Sequence, residues 1–203
     1  MLTVDLINNN SPRLKPQDSI IKALQLVNDF RVTHLPVVLE DKFLGLLSEE
    51  DLLDCEDEKL TIETLQEHFI KASVKDNMHF LNAVNTSIQF DTNIVPVINE
   101  EEDLLGVIST ADLLKTLGNF AGANEIGGII VLEMERSQFA ISEISRIVES
   151  NDCTILHLNS HADPLTGMLT VTLHVSRKEI SAIVSTFERY EYDVIYYFGN
   201  ENF

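Results

Sequence analysis

Two short segments of this 203-residue chain have the residue types and spacing to grip a phosphorylated sugar. Ser48-Glu49-Glu50-Asp51 and Ser109-Thr110-Ala111-Asp112 each set a hydroxyl three residues ahead of a carboxylate. The apolar Leu52-Leu53 and Leu113-Leu114 that follow mark both as helix starts. A helix N-terminus offers unpaired amides and positive dipole character, suited to a phosphate or hydroxyl group. The serine hydroxyl adds a hydrogen bond, and a carboxylate three residues on can accept both hydroxyls of a ribose. A second reading needs no ligand: Ser-x-x-Asp is also a variant of the capping box and can simply close its own helix.

Other chemistry finds little support. The chain carries no Gly-x-Ser-x-Gly elbow, no Gly-Lys-Ser/Thr phosphate loop and no recognisable Cys–His spacing, so no catalytic residue is assigned and an enzyme is not expected. Cys55 and Cys153 are the only cysteines; two distant thiols read as reduced, structural and cytoplasmic. His157, His161 and His174 invite a metal, but no carboxylate or cysteine completes a ligand set at usable spacing, and none is assigned. The formal charge of −19 opposes nucleic acid and anionic membrane surfaces. No apolar run approaches the roughly 20 residues of a membrane span, and no secretory signal is visible at the N-terminus.

The elements that must position the two segments form a repeat. Shifted by sixty residues, 15–38 falls on 75–98: Ala23 meets Ala83, Phe30 meets Phe90, and Leu35-Pro36-Val37-Val38 meets Val95-Pro96-Val97-Ile98. One extra residue in the Asn99–Asp103 loop then aligns Leu44-Gly45-Leu46-Leu47-Ser48 with Leu105-Gly106-Val107-Ile108-Ser109. Each unit reads as helix, strand, turn, strand, helix. Ile20, Ala23, Leu24, Val27 and Phe30 fall at helical spacing, and strands are expected over Leu35–Leu39 and Phe43–Leu47. Pro36 cannot donate to a ladder and belongs at a strand start or edge.

The run h-P-V-h, a loop, then G-h-h-S-x-x-D-L-L, present twice in order, resembles a CBS pair (a Bateman module) over residues 1–118, with a first motif of about 1–58 and a second of about 59–118. In CBS families that bind adenosine nucleotides, the matching Ser/Thr and Asp hold phosphate and ribose, and the base lies against backbone just before the partner motif's Pro-Val. The resemblance therefore implies one cleft of Ser109 and Asp112 with Val32, Thr33 and His34. It implies another of Ser48 and Asp51 with Thr92, Asn93 and Ile94. Arg31 and His34 would bring positive charge to the first, where Asp91 and Asn93 stand in the second. AMP, ATP or another adenosine compound is the implied ligand, with no cofactor required, and a homodimer is implied because such modules often pair.

Four of the eight glycines fall within Gly118–Gly128, marking 119–126 as a linker. Beyond it the pattern reads strand (Ile129–Met134), helix (Phe139 to Val148), two strands (Cys153–Asn159, Met168–Val175), a helix after Ser176-Arg177-Lys178-Glu179 as capping box, and a strand (Tyr192–Phe198). This βαββαβ order is that of a split-βαβ ferredoxin-like unit. Placed after a CBS pair, residues 127–203 resemble an ACT domain, and the whole resembles the acetoin-utilisation-type CBS proteins of bacteria. The fold class expected is α+β. Three functions follow from these resemblances. The first is a regulatory protein sensing an adenosine nucleotide between the CBS motifs. The second is a ligand-free dimerisation module with an unknown protein partner. The third is an amino-acid sensor acting through the loop Glu135-Arg136-Ser137-Gln138, which lacks the Pro-Gly often found there.

Overall fold

Ser19 opens the first helix by accepting the amide of Lys22, and α1 (Ile20–Phe30) buries Ile20, Ala23 and Val27 on one face. Arg31 ends it in the left-handed region at φ 53°, and the chain turns into β1 (His34–Leu39) and β2 (Lys42–Ser48), an antiparallel hairpin. Helix α2 (Glu49–Leu53) follows directly. The second motif repeats the plan with β3 (Val74–Lys75), α3 (Phe80–Gln89), β4 (Ile94–Ile98), β5 (Leu104–Ser109) and α4 (Thr110–Phe120). In the sheet β3-β4-β5, β3 reaches only Val97 and Ile98, so Pro96 lies beyond that ladder and its missing N–H goes unnoticed.

The computed structural model describes residues 1–8, 10–57 and 59–199; the expected motif end at 58 and the last residues of the second domain, 200–203, lie outside the described residues. The chain divides into two compact units, Met1–Thr116 and Leu117–Phe203. The boundary falls inside α4, which stays helical through Gly118 to Phe120, so the glycine-rich stretch begins as helix.

Within the first unit the two motifs exchange segments. Thr3 N–H donates to Met78 O (2.8 Å) and Asn8 N–H to Val107 O (2.8 Å), so the chain's first residues complete the second motif. In return Ile20 N–H donates to Leu60 O (3.0 Å), Ile62 N–H donates to Asp18 O (2.9 Å), and Ile70 pairs with Leu46. Ile62 is wholly buried in the first motif's core with Leu14, Ile20, Leu35 and Leu52. Gly45 is what lets the returning segment in: at φ 153°, a Cβ there would stand 2.8 Å from Phe69 Cβ. A third core, with Val38, Phe43, Leu46, Ala72, Ile94, Ile98, Leu104 and Val107, draws on both motifs.

In the second unit β6 (Gly128–Met134), α5 (Ile141–Glu149), β7 (Ile155–Ala162), β8 (Leu169–Val175), α6 (Ser181–Arg189) and β9 (Asp193–Phe198) build one antiparallel sheet in the order β7-β8-β6-β9. Leu169, Val171, Leu173 and Val175 alternate into a core with Ile144, Ile147, Ile183 and Phe187 from the helices. The Asp163 carboxylate closes the β7–β8 turn by accepting the amides of Leu165 (2.7 Å) and Thr166 (3.2 Å). The capping box expected at Ser176–Glu179 does not form. Ser176 Oγ is taken by the amide of Thr154 (3.0 Å), and α6 starts later, where Glu179 accepts from Ser181 Oγ (2.7 Å).

Candidate functional site

Both Ser-x-x-Asp segments sit where a strand of the hairpin turns into a helix. Ser48 ends β2 and caps α2: its Oγ accepts the Asp51 amide (3.0 Å) and donates to Asp51 Oδ2. Ser109 ends β5 and does the same at α4, accepting from Asp112 N–H (3.1 Å) and donating to Asp112 Oδ2 (2.7 Å). The capping interaction is therefore made at both places, and in each pair the other carboxylate oxygen remains for a further partner. At Asp51 that partner is His68, whose Nδ1 lies 2.7 Å from Oδ1. At Asp112, Oδ1 has no hydrogen-bond partner among the described residues. Burial works against the Asp51 anion, but the bonds from Ser48 and His68 outweigh it and hold the carboxyl below its ordinary value.

The loops ahead of β1 and β4 meet each other. Asn93 Oδ1 accepts from Thr33 N–H (2.9 Å) and Thr33 Oγ1 (3.2 Å), Asn93 Nδ2 donates to Arg31 O (2.9 Å), and Asn93 N–H donates to Thr33 Oγ1 (3.2 Å). Thr33 and Asn93 are sixty residues apart and occupy the same place in the repeat, so the contact lies on the pseudo-two-fold axis between the motifs. A second crossing joins the hairpin turns: Phe43 N–H donates to Glu102 O (2.9 Å), Leu104 N–H to Asp41 O (2.8 Å), and Lys42 Nζ pairs with Asp103 (2.5 Å). Neither crossing was anticipated from the residues, although a repeat that packs on itself must bring some position against its own counterpart.

The remaining contacts run within motifs. Glu49 N–H donates to Thr33 O and Thr110 N–H to Asn93 O, each 2.9 Å, while His34 pairs with Ser48 and Ile94 with Ser109 across the hairpins. Among the described residues no hydrogen bond joins Val32, Thr33 or His34 to Ser109 or Asp112, nor Thr92, Asn93 or Ile94 to Ser48 or Asp51. Thr92 is buried, its Oγ1 donating to Ile94 O (2.9 Å), and Val32 is half-buried beside the shared core. The expected cation at His34 needs correction. The residue is 9% exposed and burial pushes the imidazole below its ordinary value, despite the fields of Asp51 and Asp91, so its environment works against the cation. Arg31 is exposed and is left as the cation of that loop.

The second unit holds two further cavities. His157 and His174 are register partners on the sheet face opposite α5 and α6, and with Asn159, Thr172, Ile129 and Phe120 they line a cavity of about 680 Å³. The loop Glu135–Gln138 folds as a turn in which Gln138 accepts the Glu135 amide (3.1 Å). Beside it a cavity of about 460 Å³ is lined by Glu133, Glu135, Glu143, Glu191 and Asp193. Tyr192 donates to Glu143 there (2.8 Å); burial first, then that carboxylate, pushes its phenol up to about 12. The carboxylate of an amino acid would meet like charge in this cavity.

Known proteins resemble between half and three fifths of this chain. Homoserine O-acetyltransferase of Methanobrevibacter ruminantium is 28% identical over 119 residues, covering 57% of this chain and 24% of that protein. Inosine-5'-monophosphate dehydrogenase of Methanocaldococcus jannaschii is 23% identical over 103 residues, 50% of this chain and 21% of that protein. The chain thus spans less than a quarter of the length of either relative. Among solved structures, a CBS domain pair/ACT domain protein of Thermotoga maritima shares the fold at 20% identity and a TM-score of 0.54, covering 59% of this chain and 98% of that one. No described helix is long and apolar enough to cross a membrane. The sequence profile of the CBS domain matches residues 4–58 and 70–119, more than half of the chain, and the chain belongs to the CBS-domain family.

Proposed function

We propose that this chain is a non-enzymatic, cytoplasmic regulatory protein that binds an adenosine nucleotide between its CBS motifs, without a required cofactor. The single observation that carries the reading is the free oxygen of Asp112: a carboxylate fixed by its cap to Ser109, half-buried, with Oδ1 unpartnered among the described residues. A ribose diol needs such an acceptor, and of the first amides of α4 Thr110 N–H is tied to Asn93 O and Asp112 N–H to Ser109 Oγ, which leaves Ala111 N–H for a phosphate. Val32, Thr33 and His34 complete this cleft, with Arg31 as its cation. Ser48, Asp51, Thr92, Asn93 and Ile94 form the second. Binding would bias the packing of the motifs by no more than the difference in affinity between their two arrangements.

In this reading residues 1–118 are the CBS pair, 119–126 the linker and 127–203 a ferredoxin-like, ACT-like domain as in the acetoin-utilisation type. The βαββαβ order and the sheet order β7-β8-β6-β9 support the ACT-like assignment. A homodimer goes with both units. The test is a thermal-shift titration with AMP, ADP, ATP and S-adenosylmethionine. Ligand at a hundred times its dissociation constant adds about 2.7 kcal/mol of stability, and Asp112→Ala should abolish the shift while remaining folded. An equal shift in parent and variant refutes the role given to Asp112.

One observation favours the rival reading, a ligand-free dimerisation module: both Ser-x-x-Asp pairs are already closed as caps. It predicts a dimer that ignores every adenosine compound, and a Ser109→Ala variant that loses about 1 kcal/mol through the cap alone.

A further inference from the structure

Resting on that reading of the clefts, we propose that His68 selects which of them takes a nucleotide, by holding the carboxylate oxygen that a ribose at Asp51 would need. The two caps are counterparts in the repeat and match bond for bond within themselves. They differ in one partner. Asp51 has a partner on each oxygen, Ser48 on Oδ2 and His68 on Oδ1, so a diol there must compete with the imidazole for Oδ1; Asp112 has a partner only on Oδ2.

The segment exchange brings the backbone of His68 beside α2. His68 ends a turn of helix, Ile62–His68, that is anchored on both sides. Upstream, Ile62 and Glu63 N–H donate to Asp18 O and Pro16 O, each 2.9 Å; downstream, Ile70 and Leu46 exchange both of their backbone bonds. In the second motif the corresponding place is taken by residues 1–8, whose helical turn Thr3–Leu6 and Asn8–Val107 pairing match Ile62–His68 and Ile70–Leu46, and this segment carries no histidine. The asymmetry between the clefts is therefore written in the residues of the two exchanged segments. His68 is also a gate that can open: its side chain is 54% exposed, and a ribose entering at Asp51 has only to exchange one charge-assisted hydrogen bond for its own.

Equilibrium dialysis of the full chain against AMP tests this. The parent should take up one AMP per chain, lost in Asp112→Ala. His68→Ala should take up two, and the added one should vanish in His68→Ala/Asp51→Asn. His68→Asn, whose side chain is too short to span the same distance, serves as the second opening variant, with circular dichroism as the folding check for each. A capacity of one in both His68 variants overturns the gate and leaves the nucleotide reading standing. A parent that already binds two, one of them through Asp51, overturns the gate as well. No uptake by the parent or either His68 variant overturns both.

Discussion

Removing the Asn93 side chain should loosen the first unit by an amount set by three hydrogen bonds. Asn93→Ala deletes the acceptor of Thr33 N–H (2.9 Å) and Thr33 Oγ1 (3.2 Å) and the donor to Arg31 O (2.9 Å). A hydrogen bond contributes about 0.5–1.5 kcal/mol net, and these groups are partly open to water, so the low end applies and the loss should be about 1.5 kcal/mol. With a urea dependence of about 2 kcal/mol per molar, the midpoint falls by roughly 0.7 M. Thr33→Val removes the hydroxyl from the same contact and should cost about 1 kcal/mol. The bond between Thr33 Oγ1 and Asn93 Oδ1 is lost in both variants, so the double variant should fall short of additivity by about 0.5 kcal/mol. The assay can separate the units. All four tyrosines (Tyr190, Tyr192, Tyr196, Tyr197) lie in the second unit and the chain has no tryptophan, so tyrosine emission follows that unit while far-ultraviolet dichroism follows both. The loss should show in the dichroic transition. Additivity within about 0.3 kcal/mol would refute the contact as a joint between the motifs.

Two further outcomes are expected from the first unit's core. Ile62→Ala should cost about 2–5 kcal/mol in the same dichroic transition, although residue 62 lies beyond the first motif as the repeat delimits it, because its side chain is wholly buried in that motif's core; a loss below 1 kcal/mol would refute the exchange of segments. His34 sets a pH limit. Burial holds its folded value below the ordinary 6.5, so the unfolded chain takes up the proton first; stability is fully present above 6.5 and declines as pH falls through the folded value. His34→Gln should flatten that decline in urea midpoints measured from above 6.5 to well below it, and an unchanged slope would refute the assignment.

Periodicity carried most of the elements. The strand with Leu169, Val171, Leu173 and Val175 inward lies within a residue of its expected span, and the hairpins around Pro36 and Pro96 follow the repeat. What escaped was decided by competition between local and distant partners. Ser176 reads as a cap, yet the amide of Thr154 claims its hydroxyl from across the sheet. The glycine-rich run reads as a linker over 119–126, yet α4 stays helical to Phe120. His34 reads as a cation because its residue type permits one, and only its burial in β1 works against the charge. The Asp51–His68 pair had no local signature, since His68 stands in a polar, aperiodic stretch that reaches α2 only through the exchange of segments.

The exchange also bears on how a ligand would act. The first unit's motifs cannot separate as two independent bodies, because residues 1–8 complete the second and residues 60–70 complete the first. What remains free to change is the angle at which they meet, and that is held at two crossings: Thr33 with Asn93, and Asp41–Phe43 with Glu102–Leu104. The repeat keeps Pro-Val, Gly, Ser and Asp in step while Arg31 faces Asp91, Thr33 faces Asn93 and His34 faces Ile94 in the alignment. The two halves are thus alike where each builds its own hairpin and cap, and unlike where one touches the other. A nucleotide bound at Asp112 sits beside the first of these crossings in the repeat, with Thr110 N–H already tied to Asn93 O. A change it makes in that loop reaches Thr33 and Arg31 through three bonds of the Asn93 side chain, with one further bond from Asn93 N–H to Thr33 Oγ1. Asn93→Ala should therefore weaken the coupling between ligand and motif packing more than it weakens binding itself, and an Asn93→Ala chain that binds AMP and still rearranges as the parent does would rule this route out.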